Sequence, residues 1–185
     1  MRPILLIFML LIFVPMSCFA KEPIRSFDCM VTDVLDGDTI KCAVKNSGGT
    51  FVKVRLYGID APETEKISKK GHVSKAGQPY GEEASSALKA KIGRQAIVRV
   101  DVMAIDRYKR LVGILTLDSR NINREMVAEG WAWAYRQYLD RPHASEYIQA
   151  EEQARSQKKG LWRDNNPQPP WEFRKLQKKV TNDKS

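Results

Sequence analysis

Residues 31–63 read VTDVLDGDTIKCAVKNSGGTFVKVRLYGIDAPE, and this stretch decides the fold. Two β-rich runs, 27–34 and 39–44, flank the pair Asp36-Gly37. Asp-Gly between such runs predicts a hairpin, because glycine accepts the positive φ that tight hairpin turns need. A polar loop of turn residues, 45–49, leads to a third strand over 50–57. There Val52, Val54 and Leu56 alternate with Lys53 and Arg55. An arginine set among the apolar residues of a strand needs an anionic partner, and a substrate phosphate is the most economical one. The third strand ends in a turn that carries Asp60 and Glu63, so Asp36, Asp38, Arg55, Asp60 and Glu63 can converge at one end of the sheet.

Farther on, residues 64–79 are rich in lysine, contain two glycines and have little apolar content, which predicts a solvated loop. Its Lys66, Lys69, Lys70 and Lys75 either meet a phosphate backbone or serve connection only. Ala84, Ala87, Leu88 and Ile92 recur at helical spacing over 82–92, closed by Gly93. Strands follow over 96–103 and 111–117, then a short helix over 121–129 ending at Gly130, and a helix over 142–159 ending at Gly160. Trp131 and Trp133 between these helices read as core. Three strands, a helix, two strands and two helices suit a small closed barrel carrying helices. Periodicity alone does not supply the strand order.

The first twenty residues carry Arg2, an apolar run from Ile4 to Val14, and small residues at Cys18 and Ala20. The run is short for a membrane span, and the pattern predicts a secretory signal peptide cleaved after Ala20. A lipoprotein signal with Cys18 lipidated and an uncleaved anchor are the alternatives. Cleavage removes Arg2 and no acid, lowering the formal charge from +9 to +8. An exported basic domain suits nucleic acid, acidic polysaccharide or an anionic membrane as partner, and charge does not choose among them. Cys29 and Cys42 remain, on paired strands. They are either bridged, as an oxidising compartment would allow, or two buried free thiols. Residues 164–185 form a Pro-rich and then basic tail whose end is expected to be disordered, with Trp171 and Phe173 tacking it to the body.

His72 and His143 are the only histidines, and neither lies near a Ser or Cys motif. Acid or base work at neutral pH therefore falls to carboxylates. Hard oxygen donors without His or Cys clusters favour Ca²⁺ or Mg²⁺ over zinc.

The segments DGDT (36–39), RLYGIDAPE (55–63) and DRYKR (106–110) resemble, in order and spacing, those of the staphylococcal nuclease (thermonuclease) family. The resemblance covers roughly residues 27–162 and implies an α+β fold: an OB-fold, that is a five-stranded Greek-key barrel, with three helices. It implies a Ca²⁺-dependent nuclease acting on DNA and RNA; with the leader read above removed, the chain is expected to be a monomer with its nuclease domain at 21–163, exported to a periplasm or secreted, with no stable membrane insertion after cleavage. The resemblance further implies attack at the 5′ P–O bond, leaving 3′-phosphates. Asp38 and Asp60 would hold Ca²⁺ with the main-chain carbonyl of Ala61, a Thr in the best-known member, while Asp36 acts through water. Glu63 would be the general base, and Arg55 and Arg110 would grip the phosphate. Tyr108 and either Tyr135 or Tyr138 would meet the nucleotide. Lys109 stands where the family usually has Gly, which predicts strain if that position takes a positive φ. A non-catalytic OB-fold binding module is the alternative, and the presence of all five charged site residues favours the enzyme.

Overall fold

The structure, a computed structural model, describes residues 21–45, 47–141 and 143–182. The segment read as a signal peptide lies outside the described residues, as do Pro142 and the last three residues of the tail. Among the described residues no helix is long and apolar enough to cross a membrane.

β1 (Arg25–Asp36) and β2 (Thr39–Val44) form a hairpin, and β3 (Phe51–Leu56) pairs antiparallel with β2. A two-residue strand, β4 (Ile59–Asp60), follows, then a small hairpin of β5 (Lys66–Ile67) and β6 (Val73–Lys75). That hairpin replaces part of the loop expected over 64–79. Helix α1 (Gly81–Ile92) leads to β7 (Ile97–Ile105), which lies beside β1, and β8 (Leu111–Leu117) pairs antiparallel with β7. β8 then runs parallel to β3, with Val54 opposite Leu111 and Arg55 opposite Val112, and closes the sheet on itself. The result is the closed five-stranded barrel of an OB-fold in an α+β chain. β9 (Arg120–Asn121), α2 (Ile122–Ala128), β10 (Trp133–Ala134), α3 (His143–Ser156) and α4 (Pro170–Asn182) complete it.

Strand alternation fills the barrel. Ile40, Val54, Val98, Val100, Val102 and Leu115 are wholly buried, and Leu56 nearly so. Ala84, Leu88 and Ile92 of α1, four residues apart, face the same core. Glu82 and Glu83 at the start of α1 and Lys89 and Lys91 at its end suit the helix dipole.

The hairpin turn is Gly37-Asp38, with Asp36 opposite Thr39. Gly37 does not take the positive φ that the Asp-Gly signal suggested. It is glycine for room: a Cβ there would lie 2.8 Å from the Cβ atoms of both Ala61 and Ala84. The hairpin tip therefore tucks between the turn after β4 and helix α1.

Cys29 and Cys42 are joined in a disulfide, with Cα atoms 5.7 Å apart, and both are fully buried. Cys29 stands opposite Val44 and Cys42 opposite Val31, so the bridge runs diagonally across the hairpin. Of the two readings left open by the sequence, the bridge is the one realised.

The tail departs from expectation. Most of it is helix α4, which begins at Pro170 where the missing N–H costs nothing, carries Glu172 in its first turn and Lys179 in its last. Trp171 does tack it to the body, meeting Trp133 edge-to-face at 5.5 Å, while Trp133 in turn meets Trp162 at 4.4 Å.

Candidate active site

The site is assembled at the barrel rim where three strands end. On β3 the core takes Val54 and Leu56, so alternation turns Arg55 outward. Its Nη1 donates to Asp38 Oδ1 at 3.1 Å, and its Nη2 lies 3.0 Å from Asp38 Oδ2 and 2.5 Å from Asp60 Oδ1. Asp38 comes from the hairpin turn, and Asp60 from β4, the strand held by its pairing with Trp133 on β10. Both aspartates are buried, Asp60 completely. Asp38 also accepts from the Thr39 hydroxyl at 2.8 Å and from the Ala61 N–H at 3.1 Å. Burial opposes ionisation of Asp38, but the Arg55 charge and these donors outweigh it and hold the carboxyl below its usual range. Burial raises Asp60, while the guanidinium donors on both its oxygens favour the ionised form.

Arg55 Nη2 bridges the two carboxylates and so holds them side by side. Asp38 and Asp60, with the carbonyl of Ala61 next in the chain, thus present hard oxygen donors suited to a divalent cation such as Ca²⁺. Among the described residues no group of three or more His, Cys, Asp or Glu side chains is placed to ligate a metal, so water would complete such a shell. Asp36 sits behind Asp38, its Oδ1 accepting from the Asp38 N–H at 3.4 Å, with Lys66 Nζ 3.6 Å from its other oxygen. Burial first, and the Asp38 charge second, raise Asp36 to about 6.

Glu63 is buried against the same cluster, 7% exposed. Its backbone is clamped: Gln78 N–H donates to its carbonyl at 2.8 Å and its own N–H donates to Gln78 Oε1 at 3.4 Å. Lys75 of β6 pairs with its Oε2, so the Lys-rich hairpin contributes directly to the site.

Arg110 follows the turn at 106–110 and, by alternation beside the paired Val54 and Leu111, shares the outer face of the β3–β8 seam with Arg55. Its guanidinium is held by Asp106, with Nε to Oδ2 at 2.7 Å, rather than by the aspartate cluster. Lys109 has φ 60°, the left-handed conformation expected where a glycine is usual. Tyr108 is 64% exposed at the turn tip, its ring 5.6 Å from the Arg110 guanidinium carbon. Tyr135 and Tyr138 stand 4.8 Å apart, and Tyr135 is half-buried beside the cluster while Tyr138 is exposed.

Two site residues escaped the sequence reading. Glu151 of α3, 1% exposed, accepts from the Ala134 N–H at 2.8 Å and so fixes β10, the strand that pairs with Asp60. Arg174 of α4 donates to both Asp60 oxygens, at 3.1 and 2.7 Å, and to Glu63 Oε1 at 2.8 Å. Only the i, i+3 spacing of Trp171 and Arg174, which places them on one helical face, signalled it.

The family described as staphylococcal nuclease homologue matches residues 53–164. The chain belongs to the staphylococcal nuclease family. It is 38% identical over 177 residues to a Haemophilus influenzae protein named an uncharacterized endonuclease, covering 96% of this chain and 88% of that one. It is 37% identical over 161 residues to the micrococcal nuclease of Shigella flexneri, covering 82% and 83%. The family match spans Arg55, Asp60, Glu63 and Arg110 but ends before α4, so Arg174 lies outside it.

Proposed function

We propose that this family member is a monomeric, exported, Ca²⁺-dependent nuclease that hydrolyses phosphodiester bonds of DNA and RNA with little sequence preference, leaving 3′-phosphates. The observation that carries the reading is the meeting of the buried carboxylates of Asp38 and Asp60 on Arg55, with Glu63 joined to Asp60 through Arg174. Glu63 takes the proton of the attacking water, the water oxygen bonds to phosphorus, the bond from phosphorus to the 5′ oxygen breaks, and that oxygen takes its proton from solvent water. Arg55, and Arg110 once released from Asp106, donate to the oxygens on which charge develops. Held by Asp38, Asp60 and the Ala61 carbonyl, Ca²⁺ would supply the Lewis acid that polarises a non-bridging phosphate oxygen. Tyr108, with Tyr135 or Tyr138, offers rings on which bases stack, worth ~1–3 kcal/mol each and indifferent to sequence. Phosphate contacts likewise carry no sequence information.

Export is supported by the pattern of residues 1–20 and by the Cys29–Cys42 bridge, which suits an oxidising compartment. Incubation of plasmid DNA and of RNA with the purified protein tests the activity. Cleavage with Ca²⁺ that stops in a chelator is expected, and retained binding without cleavage would favour the non-catalytic module.

A further inference from the structure

Helix α4 lies across the active site, and what it places there has the character of a ligand. Arg174 seats a guanidinium on both oxygens of Asp60 and on Glu63. Trp171, one turn earlier on the same face, stacks on Tyr135 with ring centres 5.3 Å apart and planes 3° from parallel. A cation thus sits where a metal ion would be ligated, and a flat aromatic ring sits on a tyrosine expected to receive a base.

We infer that α4 is a tethered occupant of the site, a latch that Ca²⁺ must displace before the enzyme becomes competent. The inference rests on the Ca²⁺ reading above. Three relationships carry it. A divalent cation at Asp60 needs an oxygen within ~2.3–2.6 Å, and both Asp60 oxygens are already taken by guanidinium nitrogens, one of them twice. Glu63 has an ion-pair partner on each oxygen, Arg174 on one and Lys75 on the other, so two cations stabilise its ionised form and weaken it as a base until Arg174 leaves. Charge gives the third. The buried carboxylates Asp38, Asp60 and Glu63 are matched by Arg55, Lys75 and Arg174, and a divalent cation added to that balanced cluster would meet uncompensated repulsion. Exchange of Arg174 for Ca²⁺ plus one phosphodiester leaves the cluster balanced, since that pair carries the same single net positive charge.

The tether is fixed to the body next to the site. Residues 164–169 connect the body to α4 through Pro167 and Pro169. The Gln78 side chain, on the residue that also clamps the Glu63 backbone, donates to the carbonyl of Gln168. The latch is thereby anchored beside the catalytic carboxylate it covers, while Lys175, Lys178 and Lys179 remain exposed to solvent.

The test uses the full chain with its disulfide intact and Ca²⁺ alone as probe. Calorimetric Ca²⁺ affinity is compared among the parent, Trp171→Ala and Arg174→Gln, and amide exchange of residues 170–182 is followed with and without Ca²⁺. Trp171→Ala loosens the helix without changing any charge. It separates displacement from the simple removal of a cation near the site. Both variants are expected to bind Ca²⁺ about 10-fold or more tightly, because less of the population is closed. In the parent, protection of 170–182 should be lost on Ca²⁺ saturation. Equal affinity in all three proteins, or undiminished protection of α4 at saturating Ca²⁺, overturns the latch while leaving the Ca²⁺ reading intact. Absence of Ca²⁺ binding in all three overturns both.

Discussion

Gly81 lies against the carbonyl of Glu63: a Cβ built on Gly81 would fall 2.2 Å from that oxygen and 2.7 Å from its carbon. The first residue of α1 is therefore the surface on which the Glu63 backbone rests. Gly81 does not have a positive φ, so alanine suits its helical conformation and would even favour the helix by up to ~1 kcal/mol. The clash is with backbone and has to be relieved by moving Glu63. Gly81→Ala should cost about 1–3 kcal/mol of stability from overpacking. It should also lower turnover about 10-fold or more through misplacement of the base. Urea denaturation and single-turnover cleavage of a short DNA measure the two effects. Normal turnover in a folded variant would show that Glu63 tolerates the displacement.

Glu63→Gln keeps the size of the side chain and its hydrogen-bonding head but cannot take a proton from water. Turnover should fall by roughly 10²–10⁴. Ca²⁺ affinity should change far less, because Asp38 and Asp60 remain. Near-normal turnover would remove Glu63 from the role of base.

Reduction of the Cys29–Cys42 bridge, or its replacement by two serines, should lower stability by about 3 kcal/mol on a chain-entropy estimate for so short a loop. The bridge is buried inside the barrel, so serine hydroxyls add a desolvation cost, and reduction without substitution is the cleaner measurement. An unchanged denaturation midpoint after complete reduction would contradict it.

Asp36 gives the fold a pH dependence whose sign follows from its surroundings. Burial, then the neighbouring Asp38 charge, raise it from its ordinary 3.8 to about 6. The native state therefore holds this proton more tightly than the unfolded chain. Its contribution favours the fold below about 4 and is lost as pH rises through about 6. The interval corresponds to ~3 kcal/mol as an order of magnitude. In the presence of a chelator, Asp36→Asn should remove this component, so that the variant gains on the parent between pH 4 and pH 6. Parallel stability profiles for the two proteins would show that Asp36 titrates alike in both states.

What the sequence determined by itself was whatever depends on neighbours along the chain. Alternation in β3 set Arg55 apart from Val54 and Leu56, the break after Asp36 marked the hairpin, and Ala84, Leu88 and Ile92 marked the inner face of α1. These patterns are legible because strand and helix periods are local geometry. The motif segments also named Asp38, Asp60 and Glu63, though not what each one touches. The tertiary structure alone decided that Asp60 is pinned by Trp133, that β10 is fixed by the buried Glu151, and that Cys29 meets Cys42 along a diagonal. It alone brought Arg174 onto Glu63 across 111 positions of sequence and made most of the Pro-rich, basic tail into the helix covering the site. The local cues for that helix, Pro170 at its start and lysines toward its end, were present. Its place depends on Trp171 finding Tyr135 and Trp133, and on Arg174 finding buried carboxylates short of positive charge. Such contacts between distant segments follow from packing and from the cost of leaving buried charge unpaired, and no local pattern encodes either.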